Sequence, residues 1–409
     1  MNVDPSIPMS SPDLTAAEME AVSQVMQTRQ LSMGPRLAEF EQGIAAYIGV
    51  DHAVGVSSGT AGLHLCILAA GVGEGDRVIT TPFSFIASAN CVLYERAIPI
   101  FVDVQEETGN IDPALVAEAA DDLSRGGRAA TRWLPPTLRD TARTSRITDR
   151  APRLAALLPV HAFGQPADLD PILSVAHRHG VPVIEDACEA IGAEYRGRRV
   201  GTCGDAAVLA FYPNKQMTTG EGGMIVTRHA DWDALFRSLR NQGRDVFDAW
   251  LSHSRLGYNY RLDELSAALG LAQLSRLDEL LAKRERVAGW YHERLRAVEG
   301  IRLPCVAPTT TRMSWFVYVI RLAPGIDRNA VMATLQERGI PSRPYFAPLH
   351  LQPFYAERFG YRRGDLPVTE AWGDTCLALP FSSVMNEGQI DYVCEHLTAA
   401  VQRATVPAG

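Results

Sequence analysis

A lysine set between two apolar runs is the residue of this chain best suited to carbonyl chemistry. In AAVLAFYPNKQMTTGEGGMIVT, residues 206–227, the run 206–211 leads to Tyr212-Pro213-Asn214 and then Lys215. A small polar turn follows, Thr218-Thr219-Gly220-Glu221-Gly222-Gly223, before a second apolar run from Met224. Two buried strands joined this way present one amine in low-dielectric surroundings, where the ammonium is disfavoured and the amine can attack a carbonyl. A solvated lysine beside a hairpin is the plainer reading, and the flanking pattern weakens it. Four other stretches offer partners. Asp186 closes the run Val183-Ile184-Glu185-Asp186, and ligands of open α/β sheets sit at the carboxyl ends of strands. A buried carboxylate needs a cationic or donating partner, such as a pyridinium nitrogen; capping a following helix is the alternative. Ser57-Ser58-Gly59-Thr60-Ala61-Gly62 opens a helix, whose N–H groups and dipole suit a phosphate, or whose hydroxyls are ordinary caps. Phe85 follows a strand in Pro82-Phe83-Ser84-Phe85, placed either to stack on a planar ring or to fill the core. Asn259 and Arg261, in LGYNYRLD, either reach an anion, also on a neighbouring subunit, or cap the long helix that follows. An amine for an imine, a carboxylate for a ring nitrogen, a helix N-terminus for a phosphate and an aromatic for a ring face together specify pyridoxal 5'-phosphate. No one of them does so alone.

These residues need an α/β frame to hold them. Residues 1–12, rich in Pro and Ser, read as a loose arm. Helices are predicted at 14–27, with Thr15 as N-cap and Glu18 at N3, and at 36–48. Strands at 53–56, 77–80, 98–102, 155–160, 181–185, 206–211 and 224–227 alternate with a helix opened by 57–62 and running to about 70 and with helices at 84–94, 170–179 and 232–240, which argues for a mostly parallel sheet. Gly71-Val72-Gly73-Glu74-Gly75 precedes a strand and reads as a turn. Residues 121–153 interrupt the rhythm with a cluster of arginines, Gly126-Gly127 and Pro135-Pro136; this is a surface insertion, a solvated loop in preference to a basic flap near a phosphorylated substrate. The apolar spacing over 261–298 predicts one long helix into a second domain, with a strand at 315–322 and helices at 327–337 and 389–401. The expected division is 1–260, the arm and large domain, and 261–409, the connecting helix and small domain.

Composition narrows the class. A chain of 409 residues with 46% hydrophobic and 21% charged residues has the make-up of an ordinary globular protein of more than one domain. Net charge −8 argues against a general nucleic-acid binder. Seven scattered cysteines, without a Cys-x-x-Cys pair, read as buried free thiols and not as a disulfide framework or metal site. No apolar run reaches transmembrane length, and MNVDPSIPMSSPD lacks the pattern of a signal peptide. The expected setting is the cytoplasm.

Taken together, LSMGPRLAEFEQGIAAYIGVDHAVGVSSGTAGLHL, TTPFSFIASAN, PVIEDACEAIGAEYRG, FYPNKQMTTGEGGMIVT, LGYNYRLDELSAALGLAQL and IPSRPYFAPLHLQPFY resemble the DegT/StrS-type sugar aminotransferases over nearly the whole chain. The resemblance implies a three-layer α/β/α large domain of PLP-transferase fold type I with a smaller C-terminal α+β domain. It implies that Lys215 is the Schiff-base lysine, Asp186 the partner of the pyridine nitrogen, Phe85 the stacking aromatic, and Gly59, Thr60 and the Ala61 backbone the phosphate site. Asn259 would reach the cofactor of a second subunit, and Arg261, Tyr345 and His350 would stand on the substrate side. Two positions depart from the family's pattern: Ala210 replaces a serine that bonds the phosphate, and Glu189 replaces a glutamine near the ring. The implied activity is ping-pong transfer of the amino group of L-glutamate to a keto sugar, normally nucleotide-linked, by a homodimer with shared sites. A related dehydratase carries histidine where Lys215 stands, which argues against that activity. An acceptor such as a cyclitol or antibiotic precursor, and a regulatory protein that binds the cofactor without turnover, are the remaining alternatives.

Overall fold

The computed structural model describes residues 7–139, 152–245 and 252–404. Two helices come first, and helices and strands then alternate: α1 (Ala16–Thr28), α2 (Pro35–Ile48), β1 (His52–Val56), α3 (Gly59–Ala69), β2 (Arg77–Thr80), α4 (Ala87–Tyr94) and β3 (Ile98–Phe101). Next come α5 (Pro113–Arg125), α6 (Gly127–Thr131), α7 (Pro136–Arg139), β4 (Leu154–Leu158), α8 (Leu169–His179) and β5 (Ile184–Asp186). A short hairpin, β6 (Glu194–Tyr195) and β7 (Arg198–Arg199), precedes β8 (Ala206–Ala210), β9 (Gly223–Thr227), α9 (Ala230–Arg240), α10 (Glu264–Ser275) and α11 (Leu277–Leu295). The chain ends through β10 (Ile301–Arg302), β11 (Thr310–Arg312), β12 (Tyr318–Leu322), α12 (Arg328–Glu337), α13 (Pro353–Phe359), α14 (Pro367–Thr375), β13 (Cys376–Leu379) and α15 (Glu387–Ala404).

The central sheet runs β1-β9-β8-β5-β4-β2-β3, its two halves joined by parallel bridges from Leu157 to Val183 and from Val160 to Asp186. All strands are parallel except β9, which is antiparallel to β1 and β8. Strands β4, β5 and β9 are buried throughout, as expected where helices cover both faces. One face packs on α3 and α9 through Leu63, Ile67 and Phe236; the other packs on α2 through Phe40, Ile44 and Ile48. A second, antiparallel sheet, β10-β12-β13, shares a core with α11, α12 and α15 around Tyr291, Ile320, Leu377 and Leu397. The architecture is α/β with a mostly parallel sheet.

Several expectations hold at residue level. Thr15 and Glu18 form the capping box of α1, with Thr15 N donating to Glu18 Oε2 at 2.7 Å. All seven cysteines are free thiols, five of them buried. Other expectations are corrected. The arm is held down from Ile7 onward: Ile7 is buried in the second core, and Phe381 N donates to Met9 O at 2.9 Å. The single long helix is two, broken at Arg276, whose guanidinium reaches Asp13 at 3.0 Å and Glu18 at 2.9 Å beside α1. The described half of the arginine-rich stretch is helical and packed, not a loop. Asp122 is buried and accepts from Arg125, Arg132 and the Trp133 indole, while Ala130 and Leu134 enter the core. The rest of that stretch, 140–151, lies outside the described residues. Among the described residues no helix is long and apolar enough to cross a membrane.

Candidate active site

Strands β8 and β9 deliver Lys215. Their antiparallel pairing is closed by a loop in which Phe211 N donates to Gly222 O at 3.0 Å and Lys215 N to Tyr212 O at 2.9 Å. Glycine is needed at the far side of that loop: a Cβ on Gly223 would stand 2.7 Å from the Ser58 backbone. The Lys215 side chain is 13% exposed, its Nζ 3.4 Å from Glu189 Oε1 and 3.9 Å from the centroid of the Phe316 ring. The chain has two lysines among its 39 basic residues. The other, Lys283, is held by Asp13 at 2.8 Å and Glu279 at 2.7 Å.

Asp186 stands at the carboxyl end of β5, buried, and lines the same cavity of about 400 Å³ as Lys215. Ser88 Oγ donates to its Oδ2 at 2.6 Å, and Cys188 N to its Oδ1 at 3.2 Å. The Ser84 hydroxyl, on the cavity wall, is 2.7 Å from that of Ser88. No helix follows Asp186, so it caps none. A buried carboxylate whose resolved partners are one hydroxyl and one amide keeps capacity for a further donor from the cavity. Its neighbour Glu185 is occupied instead. Burial raises the Glu185 carboxyl, but His161 Nε2 at 3.0 Å and the amides of Gly201 and Gly204 outweigh that and hold it below its ordinary range. Glu189 goes the other way. Burial raises its carboxyl in spite of Lys215 and of the Phe163 amide, which donates to Oε2 at 3.0 Å.

The N-terminus of α3 forms the opposite part of the wall. Ser58 caps it, its Oγ accepting from Ala61 N at 3.1 Å, while Ser58, Gly59 and Thr60 face the cavity. Gly59 is demanded by packing, since a Cβ there would lie 2.8 Å from Cys188 Sγ and 2.9 Å from Ala210 Cβ. Ala210 lines the cavity at that point. Phe85 is 62% exposed at the cavity and so is not a core residue; Phe83 is the one that fills the core. Tyr345 also reaches the cavity, and burial pushes its hydroxyl up.

Four expected residues are not brought to this cavity within one chain. Ala61 is buried and its amide is taken by Ser58 Oγ. Asn259 is exposed and its backbone bridges to Asn241, and Arg261 Nη1 donates to Asn241 Oδ1 at 3.0 Å. His350 is fully buried, with Nε2 3.0 Å from Glu370 Oε1 and Nδ1 without a partner; burial lowers its imidazole despite that carboxylate. The sequence reading missed Phe316 under the amine and Ser88 on Asp186. It also passed over the scarcity of lysine, a signal that was in plain view. Among the described residues no cluster of His, Cys, Asp and Glu could hold a metal. An amine, a carboxylate with spare acceptor capacity, a helix N-terminus and an exposed aromatic around one cavity are what a planar, anionic aldehyde cofactor requires.

The profile of the DegT/DnrJ/EryC1/StrS aminotransferase family matches residues 12–131 and 135–398. GDP-perosamine synthase of Caulobacter vibrioides is 41% identical over 393 residues, covering 95% of this chain and 96% of that protein. The spore coat polysaccharide biosynthesis protein SpsC of Bacillus subtilis is 33% identical over 97% of this chain and 98% of its own. The crystal structure of S. venezuelae DesV, in complex with a ketimine intermediate, superposes with a TM-score of 0.83 at 33% identity over 98% of this chain and 99% of that one. The fold is that of the fold-type-I PLP aminotransferases. This chain belongs to the DegT/DnrJ/EryC1/StrS aminotransferase family.

Proposed function

We propose that this aminotransferase moves the amino group of L-glutamate onto a nucleotide-linked 3- or 4-keto-6-deoxy sugar, in the making of an amino sugar for a polysaccharide or a glycosylated natural product. The observation that carries the reading is the meeting of Lys215 and Asp186 on one cavity wall, in a chain 41% identical to a GDP-perosamine synthase. Residues 1–260 would hold pyridoxal 5'-phosphate and residues 261–409 would shape the substrate side, in a cytoplasmic homodimer. The exposure of Asn259, away from its own chain's cavity, suits a contact with a second copy.

Each residue has a task in this reading. Gly59 and Thr60 at the start of α3 receive the phosphate, where amides and dipole favour an anion; the Ala61 amide joins them only by sharing its bond to Ser58 Oγ. Asp186, fixed by Ser88, holds a proton on the pyridine nitrogen. Pyridoxal phosphate, when bound, supplies the electron sink that accepts the charge left at the donor's Cα. Phe85 covers the ring face. Lys215 takes the proton from Cα, stays close over Phe316, and returns it on the other side of the transfer; a positioned amine of this kind contributes about 10² to 10⁴ in rate. Glu189 stands beside the amine, and Tyr345, Arg261 and His350 are assigned to the substrate side.

The test is a panel of nucleotide-linked 3-keto and 4-keto sugars with L-glutamate, a GDP-linked acceptor first, with aminated products read by mass spectrometry. Lys215→Ala should abolish turnover. Amination of a free cyclitol and of no nucleotide sugar would replace this reading with another.

A further inference from the structure

Behind the reactive amine lies a fully buried guanidinium. Arg284, in the middle of α11, is 1% exposed, and its resolved hydrogen bonds go to four backbone carbonyls. Nη1 donates to Trp315 O at 3.3 Å and Phe316 O at 3.0 Å; Nη2 donates to Asn214 O at 3.3 Å and Lys215 O at 2.7 Å. Its Nε has no partner. Burial pushes the guanidinium down to about 10, so it stays charged at neutral pH. Sinking a cation without a carboxylate is costly, and an apolar side chain of similar volume would fill the space without that cost.

The four carbonyls belong to two segments. One carries Lys215; the other carries Phe316, whose ring lies 3.9 Å from Nζ. Gln216 ties the same segments a second time, its Nε2 donating to Glu189 O at 2.6 Å and Ser314 Oγ at 2.8 Å. Residues of α11 before Arg284 (Leu277, Leu280, Leu281) pack in the core beside the large sheet, and those after it (Val287, Tyr291, Leu295) in the core of the small one. We infer that Arg284 is a positioning residue, whose guanidinium locks the Lys215 and Phe316 segments together and so fixes the amine over the ring. The inference rests on Lys215 being the reactive amine. A lysine stem left free must be ordered again before it can attack, and a misplacement of about 1 Å can cost on the order of 10² in rate.

The test uses the apoprotein. Pyridoxal phosphate is added, the imine is trapped with borohydride at timed intervals, and the labelled peptide is identified by mass spectrometry; with two lysines in the chain the assignment is direct. The variants are Arg284→Met and Arg284→Lys. The control is Arg240→Lys, at a buried arginine that ends α9 and is bound to Gly55 O and Glu41. Well below each melting temperature, labelling of Lys215 should slow about tenfold in Arg284→Met and by an intermediate factor in Arg284→Lys, and should stay at the wild-type rate in the control. If Arg284→Met does not fold, Arg284→Lys decides. Wild-type labelling rates in a folded Arg284 variant, or slowing that follows melting temperature across all variants, would overturn the inference. Label on Lys283 instead of Lys215 in the wild-type chain would overturn the assignment of the amine itself, and the inference with it.

Discussion

Replacing Gly59 by alanine probes the anion cradle at its tightest point. The new Cβ would stand 2.8 Å from Cys188 Sγ and 2.9 Å from Ala210 Cβ, where ordinary contact is 3.4–4 Å. Cys188 can rotate its thiol away. Ala210 cannot follow, because its backbone is paired to Gly223 in the sheet. Relief therefore requires the first turn of α3 to lift by about half an ångström, and overpacking of this kind costs about 1–3 kcal/mol. The same lift carries the first-turn amides away from an anion, where charge and helix dipole together contribute up to about 2 kcal/mol. Losing about 1.4 kcal/mol of that weakens binding tenfold. The assay titrates apoprotein with pyridoxal phosphate and, separately, with pyridoxal, following absorbance. Gly59→Ala should weaken the phosphorylated compound about tenfold and leave pyridoxal within about twofold of wild type. An equal loss for both compounds, or none for the phosphate ester, would refute the placement of the phosphate at α3.

Three more predictions bear on the same cavity. Ala210→Ser puts a hydroxyl beside Gly59; a hydrogen bond to a charged group adds about 1.5–3 kcal/mol, so pyridoxal phosphate should bind at least about tenfold tighter, and an unchanged affinity would place the phosphate elsewhere. Asp186→Ala should lower kcat by about 10²-fold or more and leave the melting temperature of the apoprotein close to wild type; loss of folding instead would make Asp186 a structural residue. Glu189→Gln tests a buried carboxyl whose titration is raised by burial. The folded wild type holds that proton more tightly than the unfolded chain, so its stability falls as pH rises above the ordinary carboxylate range. Gln does not titrate, so the apoprotein melting temperature of the variant relative to wild type should rise between pH 4.5 and pH 7.5; a difference that does not move with pH counts against it.

What could be read from the sequence follows how local each signal is. Lys215, Asp186 and Gly59-Thr60 sit at strand ends or a helix start, and a local pattern of apolar runs and small residues marks such places; the structure brings them to one cavity. Phe85 was ambiguous, since an aromatic after a strand serves core and site alike, and only its exposure decides. Phe316 could not be found, because it comes to Lys215 from a hundred positions along the chain and nothing near it differs from a core segment. His350 lies in a short turn, where spacing does not tell which way a side chain faces; Glu370 draws it inward. The break at Arg276 is equally tertiary, since the apolar period runs on across it while Glu18 of α1 and Asp13 ahead of that helix hold the guanidinium.

The central claim is that Lys215 and Asp186 together move an amino group, and a half-reaction tests it most directly. Holoprotein is mixed with L-glutamate without an acceptor, and the visible absorbance and the 2-oxoglutarate released are measured together. The account predicts that the absorbance of the bound cofactor changes and that 2-oxoglutarate appears in step with it, while Lys215→Ala shows neither. A spectrum indifferent to glutamate, with no 2-oxoglutarate formed, would contradict it and leave a protein that binds the cofactor without turning over.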